Sequence, residues 1–144
     1  MSEQYLRRGD ALFGDRVWEQ INATVVEAGK SQLSGRRLVR TIGPYGLGVK
    51  ALPFRDSPIS GKPVEGLTVE SSCIIPVVML RSEFSLSVRE VAAFEQAGTP
   101  FDLNAVAEAA IAAARQEEQV IYNGLTALNT VGRLDQAAAM ERRG

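Results

Sequence analysis

Residues 101–124, "FDLNAVAEAAIAAARQEEQVIYNG", constrain the fold more than any other stretch of the chain. Leu103, Val106, Ala110, Ile111, Ala114 and Ile121 recur at helical spacing, with alanines between them. Asp102 stands where a side chain can cap the first turn, and Gly124 where a helix ends in the left-handed C′ position. A helix of about 21 residues is about 31 Å long, enough to cross a small domain. Its apolar stripe is narrow and built of small side chains, so a second element can pack close along its length. With 144 residues, 45 % of them apolar, the chain has the material for one such domain and its core.

The partners for that helix are sought upstream. After a polar arm over residues 1–14, Asp15 offers a cap, and Val17, Trp18, Ile21, Val25 and Ala28 fall on one face, which predicts a helix over 16–32. Gly29 and "SGRR" end it near residue 33. "RLVRTI" reads as a short strand closed by the turn signals of Gly43-Pro44-Tyr45-Gly46. "GVKALPF" and "TVESSCII" read as two extended arms joined by an exposed tip around Gly61, so residues 48–76 form a two-stranded finger. Next, Val78, Leu80, Phe84, Leu86 and Val88 alternate with polar residues and predict a half-buried strand. Ser87 and Glu90 form a capping box opening a short helix that stops at Gly98. "LDQAAAMERRG" can begin one more helix. The order is helix, finger, strand, short helix, long helix: an α+β chain whose single long strand lacks the neighbours its apolar face needs.

Composition removes most kinds of chemistry. With 16 basic and 17 acidic residues the net charge is −1, which argues against nucleic acid as a partner. No histidine is present, so the usual neutral-pH base and metal ligand are missing. A serine triad therefore cannot be assembled, and no G-x-S-x-G elbow occurs. "GPYGLG" lacks the phosphate-loop lysine and opens no helix. Glu108, Glu117 and Glu118 lack the Glu-x-x-His pairs of a di-iron helix and read as solvated helix charge. Cys73, the single cysteine, sits beside Ile74 and Ile75 and reads as a small buried residue. Trp18 reads as a packing anchor before a ligand platform. Catalytic groups, cofactors and metals are all unexpected. The first residues lack the apolar core of a signal peptide and no run reaches membrane-spanning length, so a cytoplasmic protein without membrane contact is expected. Arg36, Arg37 and Arg40 remain, either as ordinary solvated surface or as a patch for a peptide carboxylate or neighbouring subunit.

Several stretches together carry a resemblance. "DRVWEQI", "SQLSGRRLVRTIGPYG", "VVMLRSEFSLSVREVAAFEQAG" and "EEQVIYNG" resemble the N-terminal half of an encapsulin (linocin-like) shell protein, from about residue 10 to about residue 130. That group has the capsid fold of tailed bacteriophages of the Hong Kong ninety-seven type. The resemblance implies a partial α+β capsid-like fold without the axial domain. Residues 15–47 would hold the lumenal helix and first strand, 48–76 the extended loop, and 77–144 part of the peripheral domain with spine helix 101–124. It implies a self-assembling, non-catalytic icosahedral nanocompartment in the cytoplasm, enclosing cargo enzymes held by a targeting peptide. The partners it implies are other copies of the chain or a C-terminal half of the subunit. The cargo it implies is a ferritin-like protein or a dye-decolourising peroxidase. Cargo-peptide contacts would fall to Trp18, Ile21, Val25, Arg36 and Arg40. Arg40 stands where the family often has an acidic residue, which alters the expected charge preference. The chain has about half the usual family length, so a truncated, non-assembling adaptor or minor subunit that binds cargo peptide or a complementary C-terminal half is the alternative.

Overall fold

The computed structural model describes residues 7–58, 66–67 and 69–124; of residues 54–58 and 73 only the backbone is described. The finger tip around Gly61 and the candidate helix in "LDQAAAMERRG" lie outside the described residues, as does the Cys73 side chain. Two units are present. One comprises the residues before Gly43 together with those from Leu80 onward, and the other is Gly43–Met79.

The first unit is helical. Helix α1 spans Asp15–Gln32, a four-residue turn α2 spans Gly35–Leu38, α3 spans Val88–Ala97 and α4 spans Asn104–Asn123. Helix α1 packs along α4, and α3 closes on α1. The apolar face of α1 meets the stripe of α4 in a core of Val17, Ile21, Val91 and Val106, with Val17 and Val106 fully buried. Ala114 is buried further along α4. Phe13, Trp18, Leu86, Phe94, Phe101 and Leu103 surround this core, and Phe94 and Phe101 pack with ring centroids 5.1 Å apart. The Ser87 half of the predicted capping box at α3 is formed: Ser87 Oγ accepts from the Glu90 amide at 3.4 Å. Gly98 ends α3 at φ 68°, a conformation costly for any residue with a Cβ.

The caps of the two long helices differ from expectation. Gly14, not Asp15, is the N-cap of α1, and its amide donates to Glu95 Oε1 at 2.6 Å. Asp15 instead contributes negative charge to the first turn. Leu103 is the N-cap of α4, with Asp102 Oδ1 accepting from the Asn104 amide at 2.8 Å. The predicted spans of 16–32 and 101–124 become Asp15–Gln32 and Asn104–Asn123.

The second unit contains the hairpin. Strands β1 (Ala51–Pro58) and β2 (Glu70–Pro76) run antiparallel, from Ala51 opposite Pro76 to Pro58 opposite Glu70. The register slips between Pro53 and Arg55, leaving Phe54 as an extra residue in β1. A further bond from the Val77 amide to the Lys50 carbonyl, at 2.8 Å, extends the ladder by one pair.

Two predicted strands are absent. Within "RLVRTI", Arg37 and Leu38 belong to α2, and residues 39–42 have no regular structure. The alternating stretch 77–87 forms no strand either. A strand requires a hydrogen-bonded neighbour, and among the described residues β1 and β2 pair only with each other. The alternation leaves its mark as exposed apolar side chains: Val78, Met79, Leu80 and Phe84 are 37 %, 63 %, 39 % and 40 % exposed.

Candidate functional site

The site lies where the C-terminal half of α1 meets the middle of α4. Their closest packing is at Val17, Ile21 and Val106; further along, small side chains leave a groove of about 460 Å³. Val25, Leu33 and Leu80 give it apolar walls, Ala110 and Ala114 line it from α4, and Arg36 and Glu117 stand at its rim. The alanines of α4 thus leave open volume beside α1 where larger side chains would fill it.

The charged rim is tightly organised. Arg36 donates from Nε to Glu117 Oε1 at 2.5 Å and from Nη2 to Glu117 Oε2 at 2.9 Å, a bidentate pair. These bonds hold the guanidinium pKa above its ordinary value, against a smaller opposing effect of burial. Beside it, Glu118 Oε1 accepts from the Ser34 amide at 3.0 Å and the Gly35 amide at 2.7 Å. Glu118 Oε2 accepts from Ser34 Oγ at 2.5 Å, and that hydroxyl lies 3.1 Å from Tyr122 Oη. The hydroxyl bond from Ser34, helped by the two amides, holds the Glu118 carboxyl below the usual carboxylate range. Gly35 is buried against this cluster. A Cβ there would lie 3.0 Å from Glu118 Oε1 and 3.1 Å from two carbons of Ile121.

The five candidate residues separate. Val25 and Arg36 line the groove together. Ile21 is 3 % exposed and packs in the core of its own unit. Trp18 faces another concavity beside Phe13, whose ring centroid lies 5.0 Å away, with the Arg8 guanidinium 4.9 Å over the indole. Arg40 is exposed beyond α2, and neither it nor Arg37 makes an ion pair with a described residue. Glu117 and Glu118 are not solvated helix charge, as their spacing alone suggested; both bind the 34–36 segment. Their signal in the sequence was "SGRR", whose first-turn amides and arginine need acceptors. Nothing local shows that those acceptors come from more than eighty residues downstream.

The described residues contain no cluster of three or more metal-ligating side chains, and no helix long and apolar enough to cross a membrane. The helices, hairpin and groove are the parts of a capsid-like α+β shell fold. The chain belongs to the family described as encapsulating protein for peroxidase, whose model matches residues 3–142. The family is structural and not enzymatic. Among curated relatives, a type 1 encapsulin shell protein of Myxococcus xanthus is 27 % identical over 129 residues, 83 % of this chain and 45 % of the relative. A diheme-cytochrome–encapsulin shell fusion protein of Kuenenia stuttgartiensis is 25 % identical, over 81 % of this chain and 34 % of its own length. A type 1 encapsulin shell protein of Rhodococcus erythropolis is 26 % identical, over 88 % of this chain and 48 % of the relative. The chain thus spans half or less of the length of each of these relatives.

Proposed function

We propose that this chain is a shell subunit, or the N-terminal part of one, of an encapsulin nanocompartment: a cytoplasmic icosahedral cage that encloses cargo enzymes through a targeting peptide. The observation that carries the reading is the family match through residues 3–142. On this reading the hairpin β1–β2 belongs to the extended loop of 48–76, α4 is the spine helix, and α1 faces the lumen. The partly exposed Val78, Leu80 and Phe84 then offer an apolar face to strands from another copy or from a C-terminal half.

Cargo recognition falls to the α1–α4 groove. Val25 and Leu33 offer an apolar wall, and Arg36 with Glu117 forms a polar rim able to hydrogen-bond an extended backbone. Ile21 anchors α1 in the core, Trp18 faces the separate concavity beside Phe13, and Arg40 acts from outside the groove. The cargo is a ferritin-like protein or a dye-decolourising peroxidase. Co-expression of the chain and a C-terminal encapsulin fragment with a peroxidase, tail intact or deleted, tests this directly. The intact cargo should co-purify with particles and the tail-deleted cargo should not; equal recovery of both would sink the groove reading.

A second reading has its own support, since the groove lies wholly within one unit of the chain. A non-assembling adaptor or minor subunit would keep this groove, bind the cargo tail and form no particles.

A further inference from the structure

Two adjacent acids of α4 grip three successive residues in different ways. Glu117 holds a side chain, that of Arg36, and Glu118 holds a backbone, that of Ser34 and Gly35. The side-chain pair is partly solvated, with Arg36 and Glu117 side chains 56 % and 27 % exposed. The bidentate geometry fixes the guanidinium on Glu117 only while the segment that carries Arg36 holds its place. The four-residue α2 is too short to hold its own shape, and its first amides have no partner within the helix. Glu118 supplies that partner, and the hydroxyl bond from Ser34 fixes the carboxylate's second oxygen.

We infer that Glu118 is a positioning residue for the groove: by pinning Ser34 and Gly35 it sets Arg36 against Glu117, so that the rim is preformed before a partner arrives. Gly35 belongs to the same device, because a Cβ there would push on both the Glu118 carboxylate and Ile121, at 3.0 and 3.1 Å. The consequence for binding rests on the groove reading above; the positioning itself does not.

The test uses the 144-residue chain labelled with ¹⁵N. Amide exchange is read at Ser34 and Gly35, and the Arg36 Nε–H resonance reports the ion pair. Glu117→Ala should abolish the protected Arg36 signal and leave both amides as slow as in the parent. Glu118→Ala should speed exchange at both amides at least tenfold and also lose the Arg36 signal, while the α4 amides stay protected. An Arg36 Nε–H resonance unchanged in Glu118→Ala overturns the inference. The synthetic C-terminal peptide of a dye-decolourising peroxidase, followed by fluorescence anisotropy, should bind Glu118→Ala at least fivefold more weakly; unchanged affinity overturns the consequence for binding, while the Arg36 resonance decides the positioning. If the parent chain fails to bind the peptide, the cargo reading fails, and the exchange data still decide the positioning role.

Discussion

Two glycine-to-alanine substitutions, one in α1 and one in α2, should move stability in opposite directions. A Cβ on Gly29 meets nothing within 4 Å, and the residue lies inside helix α1. Alanine there loses less backbone entropy on folding and should stabilise by about 0.5–1 kcal/mol. Gly35 is helical too, and the same gain applies to it. However, its Cβ would sit 3.0 Å from Glu118 Oε1 and 3.1 Å from Ile121 Cγ2 and Cδ1. Neither neighbour gives way freely: the carboxylate is fixed by its bonds to Ser34, and Ile121 is β-branched and stiff at χ1. Overpacking of this kind costs about 1–3 kcal/mol, which outweighs the helical gain over most of its range and leaves a net loss of up to about 2.5 kcal/mol. For a chain of this size 1 kcal/mol moves Tm by roughly 3–5 °C. Thermal unfolding followed by far-ultraviolet circular dichroism should therefore show Gly29→Ala rising by about 2–4 °C and Gly35→Ala falling. Shifts of the same sign would refute the reasoning. Gly29 lines the groove, so on the proposed cargo reading its alanine variant should bind the peptide less well while being more stable, separating fit from folding.

Val106→Ala removes two methyl groups from a fully buried site, about 1.6 kcal/mol of transfer, and the cavity raises the loss to about 2–3 kcal/mol. Urea unfolding read by the single tryptophan should show it, and a change below about 0.5 kcal/mol would mean that the core is not where α1 meets α4. The lowered Glu118 titration sets a direction with pH. A carboxyl depressed in the folded state stabilises above its unfolded pKa, and that contribution is lost as pH falls through the folded value. The stability difference between the parent and Glu118→Gln should be constant near neutrality and shrink on acidification; a difference independent of pH would remove the charged carboxylate from the account.

What the sequence disclosed and what it hid divide along physical lines. Helices α1, α3 and α4 were legible because their apolar spacing and the Ser87 and Gly98 signals are local. The hairpin arms were legible for the same reason, since Pro and Gly punctuate them. Residues 37–42 and 77–87 misled because alternation shows only that a side chain wants one apolar and one polar surrounding. Whether a strand forms depends on a neighbour, and no local pattern reports one. Arg36 stood out in the sequence, but its partner Glu117 lies eighty-one residues away. Ile21 and Val25 shared one predicted face, yet only the first reaches the core, and Val25 lines the groove beside the small side chains of α4. The family resemblance supplied what periodicity could not: the reason why an apolar stretch would be left for another polypeptide to cover.

The shell reading is tested most directly by the mass of the particles this chain forms, measured by light scattering with negative-stain imaging of the same sample. The chain should be measured alone and mixed with a C-terminal encapsulin fragment. Closed hollow particles of megadalton mass in either sample are the predicted result. A monomer or small oligomer in both would contradict a shell subunit and leave the adaptor in its place.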